Sequence, residues 1–394
     1  MPRQIRISRT ENMSLRERWR MFGWPLFVLT VIVLALSIAM LYSAGNADCA
    51  ENIEHCNRFG AWRPYAASQL GKIVIALIAF FIAAFSNIKT WIRSSYILYA
   101  GALIMLLLVL FIGHTGMGAT RWLNLGFFHI QPSEFIKIGL VLALARYFAW
   151  LNSTELERFK NYWIPAGMVA VPFLLVVAQP DLGTALSILL ISLGFFYIVG
   201  AKKQWFIIGA ILAALATPVI WNVGLHGYQK DRILTFVQPG RDLAGTGYQI
   251  NQAKIAFGSG GIIGKGYTSG TQSQLAFLPE KQTDFIFTML GEELGFIGGF
   301  LLIVLYFSMA AIMFWYSKRT RNRFGQLVCF GFMLNFFVYY FINIAMVLGL
   351  MPTVGVPLPL MSFGGSSLLS LMFGLGLVQN AYIHKDQQLS AKGG

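Results

Sequence analysis

Charge is what this chain has least of. Asp, Glu, Lys and Arg make up 12% of its 394 residues, against 56% apolar residues. A water-soluble domain of this length carries about 25% charged residues, so there is too little polar surface here to cover a soluble globule. Carboxylates are scarcer still, 16 against 30 Lys plus Arg. The net charge of +14 does not indicate a nucleic-acid-binding surface. The basic residues sit mainly in short connections between apolar blocks, the pattern of the positive-inside rule. Cysteine is nearly absent. Of three, Cys49 and Cys56 share one polar loop and Cys329 lies in an apolar block. A structural zinc site needs more ligands than that loop offers. A disulfide between Cys49 and Cys56, should the loop face an oxidising compartment, and two free thiols remain equal alternatives. No low-complexity tract, linker or internal repeat divides the chain.

The apolar residues fall in blocks of roughly 17–25, the length that crosses about 30 Å of hydrocarbon as a helix. The blocks do not alternate as barrel strands do. The expected fold is therefore an all-α integral membrane protein of about ten spans. They are Trp24–Ala44, Gln69–Ser86, Tyr96–Ile112, Glu134–Trp150, Trp163–Ala178, Thr184–Gly200, Phe206–Trp221, Phe285–Tyr316, Gln326–Leu350 and Ser366–Ile383. Residues 1–23, with six arginines, read as a cytoplasmic tail, 24–383 as one membrane domain and 384–394 as a second cytoplasmic tail. Lys89, Arg93, Arg158, Lys160, Lys202, Lys203 and the cluster Lys318, Arg319, Arg321, Arg323 mark the cytoplasmic connections. Residues 222–283 form a large outer loop between the seventh and eighth spans, read as flexible through its glycine-dense part.

Ionisable residues at or near a span are functional candidates by default, and here they gather at the outer ends of spans. Arg121 and Trp122 precede Gln131-Pro132-Ser133-Glu134, with Lys137 one turn on. Pro132 suits a helix start, Ser133 or Gln131 suits a cap, and Glu134 suits the positive end of the dipole. Lys137 does not, which leaves anion binding by Arg121 and Lys137 as an alternative to an interfacial belt. Asp181, in Gln179-Pro180-Asp181-Leu182-Gly183-Thr184, either caps the next helix or faces a site. Lys254 lies in the long loop, which ends in Glu280-Lys281-Gln282-Thr283-Asp284. Asp284 stands where a polar loop enters lipid; it is either a helix cap or a general base. Asn343 lies in the ninth span. Met351–Ser366 carries three prolines and three glycines after Met351, which forbids a continuous helix, so it must be buried in protein or line a wet cavity. An enzyme acting on an amphiphile at the outer leaflet and a transporter both fit. The one-sided placement of the polar groups and the lack of repeats favour the enzyme.

These motifs, in this order, resemble the SEDS family of peptidoglycan glycosyltransferases. They are Gly118–Trp122 with Gln131–Lys137, Gln179–Thr184, Gly270-Thr271-Gln272-Ser273-Gln274-Leu275 running on to Leu278-Pro279-Glu280 and Thr283-Asp284-Phe285, and the Val-Gly-Val-Pro-Leu-Pro-Leu core of Gly349–Gly365. The Thr-Gln-Ser-Gln-Leu and Val-Gly-Val-Pro-Leu-Pro-Leu wording is closer to the elongation branch, RodA, than to the division branch, FtsW. Two positions depart from the usual pattern: Gln282 where the family often has His, and Phe363 where it usually has Tyr.

The resemblance implies polymerisation of lipid II at the outer face of the bacterial cytoplasmic membrane. A lipid II flippase is the alternative. It implies Asp284 as the essential acid and natural general base, Trp122 and Glu134 as functional positions, and substrate contacts among Arg121, Lys137, Asp181, Lys254, Lys281 and Ser362. Pyrophosphate departure would be assisted by these cations or by a divalent ion, Mg²⁺ or Mn²⁺, with no cofactor otherwise expected. Expected partners are a class B penicillin-binding protein and elongation-complex membrane proteins, not nucleic acid.

Overall fold

The structure, a computed structural model, describes residues 13–51, 62, 65–116, 119–124, 129–219, 221–222, 227–238, 246–275, 277 and 280–387. The side chain of Cys49 and all of Cys56 lie outside them, and with them the possible disulfide.

All ten expected apolar blocks are helical. They are α1 (Trp24–Glu51), α2 (Ala66–Phe85), α3 (Ile88–Ile112), α4 (Pro132–Ala149), α5 (Trp163–Ala178), α6 (Leu182–Val199) and α7 (Lys203–Val219). After two helices of the long loop, α8 (Gly227–Val237) and α9 (Thr246–Ser259), come α10 (Ile286–Arg319), α11 (Arg323–Val347) and α12 (Gly365–Ile383). Eight of the ten are long and apolar enough to cross a membrane. Of the other two, α4 carries Glu134, Lys137 and Arg146, and α7 is shorter.

The ends of the helices follow local chemistry. Asn87 caps α3 by accepting from the Lys89 N–H, and Asn322 caps α11 by accepting from the Gly325 N–H at 2.7 Å. Gly200, at φ +106°, ends α6 in the left-handed conformation a glycine adopts without a Cβ penalty. Pro132 occupies the first turn of α4, but neither Gln131 nor Ser133 makes a side-chain cap there.

Packing sorts the helices by depth. α12 lies along α2, α3 along α4, and α10 along α11; α11 also touches α4, α6 and α12. α4, α11 and α12 are buried on nearly all sides. α2 and α3 instead leave Ile78, Ile82, Ile97 and Phe111 exposed, apolar faces that only a lipid environment covers without penalty.

Two parts of the fold are more ordered than the sequence suggested. Between α3 and α4 the chain forms a small antiparallel sheet, β1 (His114–Gly116), β2 (Ala119–Asn124) and β3 (His129–Ile130), in that spatial order. The glycine-dense stretch of the long loop is not a loose connection, and its N–H groups serve the fold. It docks on a break in α10 at Gly295, whose φ of +68° and ψ of −166° interrupt the helix. Phe296 and Ile297 donate to the carbonyls of Gly261 and Ile262, and Lys265 and Gly266 donate to those of Glu292 and Glu293. The backbones meet so closely that a Cβ on Gly295 would lie 2.3 Å from the Gly264 nitrogen. Only glycine fits such a contact.

Met351–Ser366 is non-helical until its last two residues and buried, as its prolines required. Val356, Leu358, Leu360 and Met361 are buried in the core. Three of its backbone carbonyls accept from side chains of three helices: Ser37 donates to Met361, Tyr306 to Pro359 and Asn343 to Val356. Those bonds lower the cost of irregular backbone at membrane depth.

Candidate active site

The residues just before α10 make a tight turn rather than a side-chain cap. The helix begins at Ile286 with Phe285 as its cap residue and no side-chain cap bond, so neither Thr283 nor Asp284 is spent on capping. Thr283 donates to the Glu280 carboxylate and carbonyl. Ser362 donates to the Thr283 carbonyl at 2.5 Å and accepts from the Leu358 N–H at 2.8 Å. Asn343 donates to the Asp284 carbonyl. The turn is thus sewn to the re-entrant segment, and the Asp284 side chain stands beside Gly355, whose Cβ, if present, would lie 3.6 Å from Oδ2.

The charges that act on Asp284 are Glu280 in its own turn and, from three distant parts of the chain, Arg232, Arg121 and Asp181. Burial, reinforced by Glu280, pushes the Asp284 carboxyl up from 3.8 to about 6 against the opposing pull of the two arginines. Arg121 is aimed by its own bonds. It donates to the Pro180 carbonyl at 2.7 Å and stands 3.8 Å from Asp181. Asp181 also caps α6, accepting from the Thr184 N–H and hydroxyl. Arg232 on α8 donates to the Thr353 carbonyl.

Arg121 and Arg232 both line a groove of about 290 Å³. Its walls are otherwise almost wholly apolar, Phe173 and Val177 of α5, Leu186 and Leu189 of α6, and Ile233 of α8 among them. Two guanidinium groups that act on the raised Asp284 carboxyl therefore line an apolar trough. Such a site suits an amphiphile whose anionic head joins a long hydrocarbon tail.

Glu134 and Lys137 form a second cluster behind the first. They are 3% and 2% exposed and pair at 2.8 Å. Glu134 also accepts from the Tyr339 hydroxyl at 2.8 Å and from Ser370 at 3.2 Å, and the Lys137 ammonium stands 3.7 Å over the Tyr339 ring. The unfavourable cation in the first turns of α4 is explained by this buried pair.

The remaining candidates are scattered. Lys281 is buried and donates to the Ser273 carbonyl. Trp122 is half-buried on β2, opposite His114. Lys254 is exposed on α9, with its side chain against Gly349, and is not among the groups acting on Asp284. Sequence reasoning passed over Arg232, Tyr339 and Ser370. Arg232 was visible only as one charge in a Lys-Asp-Arg run, and nothing local in the chain distinguishes it. Glu292 proves to be an anchor for the long loop, accepting from Lys265, from Ser273 and from the Gln272 and Ser273 N–H groups. Glu293 accepts from Ser43 of α1 and from Gln274 of the loop.

Comparison with known proteins places this geometry. The FtsW/RodA/SpoVE model, described as a cell cycle protein, matches residues 24–387. The peptidoglycan glycosyltransferase MrdB of Escherichia coli K12 is 42% identical over 320 residues, 80% of this chain and 85% of that one. A chain of a solved peptidoglycan synthase complex, described as coordinating polymerization and crosslinking, is 30% identical at a TM-score of 0.77, covering 93% of this chain and 99% of that one. The crystal structure of the rod shape determining protein RodA of Thermus thermophilus is 27% identical at a TM-score of 0.69, covering 94% and 99%.

Proposed function

We infer a function from one premise: the chain belongs to the FtsW/RodA/SpoVE family. It is a multi-pass protein of the bacterial cytoplasmic membrane and a RodA-like peptidoglycan glycosyltransferase that polymerises lipid II into glycan strands. The single observation that carries the reading of the site is that Arg121 and Arg232, the two cations that pull on the Asp284 carboxyl, both line the apolar groove.

In this reading the polyprenyl chain of the donor lies in the groove and its pyrophosphate meets the two arginines. The hydroxyl of the acceptor sugar attacks the anomeric carbon of the donor. Asp284 takes the hydroxyl proton as the bond forms, and polyprenyl pyrophosphate leaves with the bonding electrons. One displacement inverts the anomeric centre. A base whose pKa lies near 6 is deprotonated at neutral pH yet basic enough to share the proton in the transition state. Arg121 and Arg232 supply fixed positive charge where the leaving group gains negative charge.

Among the described residues no three acidic, His or Cys side chains gather into a metal site. If Mg²⁺ or Mn²⁺ takes part, Asp284 and Glu280 are the protein's donors and the pyrophosphate supplies the others. The ion would add charge neutralisation on the leaving group. A class B penicillin-binding protein, with other membrane proteins of the elongation complex, is the partner set we assign, supported by the relative found in a peptidoglycan synthase complex.

Asp284 lies on the outer side in this proposal and both termini lie inside, which puts the basic α10–α11 connection in the cytoplasm. A cysteine at Ser269 should then react with an impermeant maleimide in intact spheroplasts; protection there, with labelling at Ser390, would reverse the orientation. The activity itself is tested by incubating the purified chain with lipid II in detergent, where no second compartment exists. Glycan polymer is expected. Transbilayer movement of lipid II in vesicles without any polymer in either setting would establish the flippase instead.

A further inference from the structure

The end of α10 farthest from Asp284 holds a small cavity that the glycosyltransferase reaction does not use. It measures about 140 Å³ and lies between the ends of α6 and α10 and the start of α11. Lys318, Arg323 and Gln326 line it together with Ile198, Phe314 and Phe330. The α10–α11 connection carries four cations, and they are not equivalent. Arg321 stands 3.8 Å from the Asp386 carboxylate and Arg319 lies over the Trp315 ring at 4.3 Å. Lys318 and Arg323 instead share the cavity, the Lys318 ammonium 5.3 Å from the centre of the Phe314 ring in its wall, and among the described residues no carboxylate comes within ion-pair distance of either. Arg323 is also the first residue of α11, so the positive end of that helix dipole adds to the field.

Two cations without a carboxylate partner at the wall of one cavity repel each other and attract an anion. The cavity's size suits a phosphate group with a few attached atoms. Its apolar wall suits the first carbons of a lipid better than bulk water. We propose that this cavity binds a phosphate anion, and that the phosphodiester headgroup of an acidic phospholipid is the form suited to it. Lys318 and Arg323 take the phosphate oxygens, Gln326 donates a further hydrogen bond, and Ile198, Phe314 and Phe330 face the glycerol and upper acyl chain. Because the walls come from three helices, occupancy ties the ends of α6, α10 and α11 together. Basic pockets of this kind between membrane helices are where acidic headgroups are commonly held.

The test uses the purified full chain in detergent and follows its thermal unfolding midpoint. Phosphatidylglycerol should raise the midpoint in a saturable way, and phosphatidylcholine should not. In the K318Q/R323Q variant the half-saturating concentration of phosphatidylglycerol should rise about tenfold or more, given the attraction of roughly 1 kcal/mol per basic residue near an acidic lipid surface. Both side chains are exposed, so this variant should fold; the single variants Lys318→Gln and Arg323→Gln, each with part of the effect, secure the result if the double variant does not. The control is R319Q/R321Q, which removes equal charge from the same connection outside the cavity and should leave the half-saturating concentration within about twofold of wild type. Inorganic phosphate distinguishes the source of the anion. If it reproduces the full shift and abolishes any further effect of lipid, the site is kept but its ligand is a soluble phosphate. A wild-type response from K318Q/R323Q, an equal loss in R319Q/R321Q, or an equal shift by phosphatidylcholine would overturn the proposal.

Discussion

Asn343, near the C-terminal end of α11, donates through one amide nitrogen to two carbonyls, that of Asp284 at 2.9 Å and that of Val356 at 2.7 Å. The two acceptors belong to the turn before α10 and to the re-entrant segment, which also meet directly where Ser362 donates to the Thr283 carbonyl and the Phe363 N–H to that of Gln282. Asn343 adds a bond to each segment from one helix and so helps set the spacing between the turn bearing Asp284 and the re-entrant segment. Asn343→Ala would leave both carbonyls unsatisfied in a buried setting. We expect about 1–3 kcal/mol of lost stability, read as a lower unfolding midpoint, and a fall in polymerisation larger than the unfolded fraction explains. A variant that keeps wild-type turnover at a matched folded fraction would show that the spacing does not matter to the reaction.

Asp284→Asn preserves shape and most hydrogen-bonding capacity but cannot accept a proton. Polymerisation of lipid II should fall by roughly 10²–10⁴-fold, while lipid II binding and assembly with the partner transpeptidase survive. The structure removes the simplest competing account, since Asp284 does not cap α10. A metal-ligand role predicts that raised Mg²⁺ or Mn²⁺ partly rescues Asp284→Glu; base catalysis alone predicts no rescue. Near wild-type strand synthesis by Asp284→Asn would remove the catalytic assignment.

The raised Asp284 pKa has two consequences of fixed sign. The base must be deprotonated, so kcat/KM should climb as pH rises through about 6 and level off above it. Stability runs the other way. A carboxyl whose folded pKa exceeds its unfolded value of 3.8 contributes fully below that value and loses the contribution as pH passes about 6. Asp284→Asn, neutral throughout, should thus be more stable than wild type above pH 6 by about 1–2 kcal/mol, once the part of the side chain open to water is allowed for, and show no advantage below pH 4. Unfolding midpoints of the two proteins across pH 4–8 decide this.

The Glu134–Lys137 pair calls for a different experiment, because burial makes each partner dependent on the other. Glu134→Gln leaves a buried ammonium without its counter-charge and should cost about 3–5 kcal/mol. Replacing both, as Glu134→Gln with Lys137→Met, should recover much of that stability. If the pair serves only the fold, the double variant should also recover polymerisation. A stable but inactive double variant would assign one of the two residues to substrate.

How much of this was legible beforehand depended on whether the signal was local. Membrane residence, the ten helical blocks and the irregular re-entrant segment follow from runs of adjacent residues: apolar length, the charge of connections, and prolines that remove backbone donors. Asp284, Arg121 and Asp181 were legible because each is a charge beside a span, where charge is costly. The partners of those residues were not. Glu134 meets Tyr339 across 205 positions of sequence, and Arg232 reaches Asp284 only because α8 folds back over Thr353. The glycines of residues 258–266 read as slack when taken alone; at Gly260 and Gly264, pressed against the backbone of α10 beside the break at Gly295, glycine is the one residue type that lets two backbones exchange hydrogen bonds at contact distance. Hydropathy and breakers act on a chain one segment at a time, so composition determined where this chain enters lipid and where it cannot be helical. Which charges neutralise one another, and which are left facing an apolar groove, is a matter of distances between segments, and only the tertiary structure decided it.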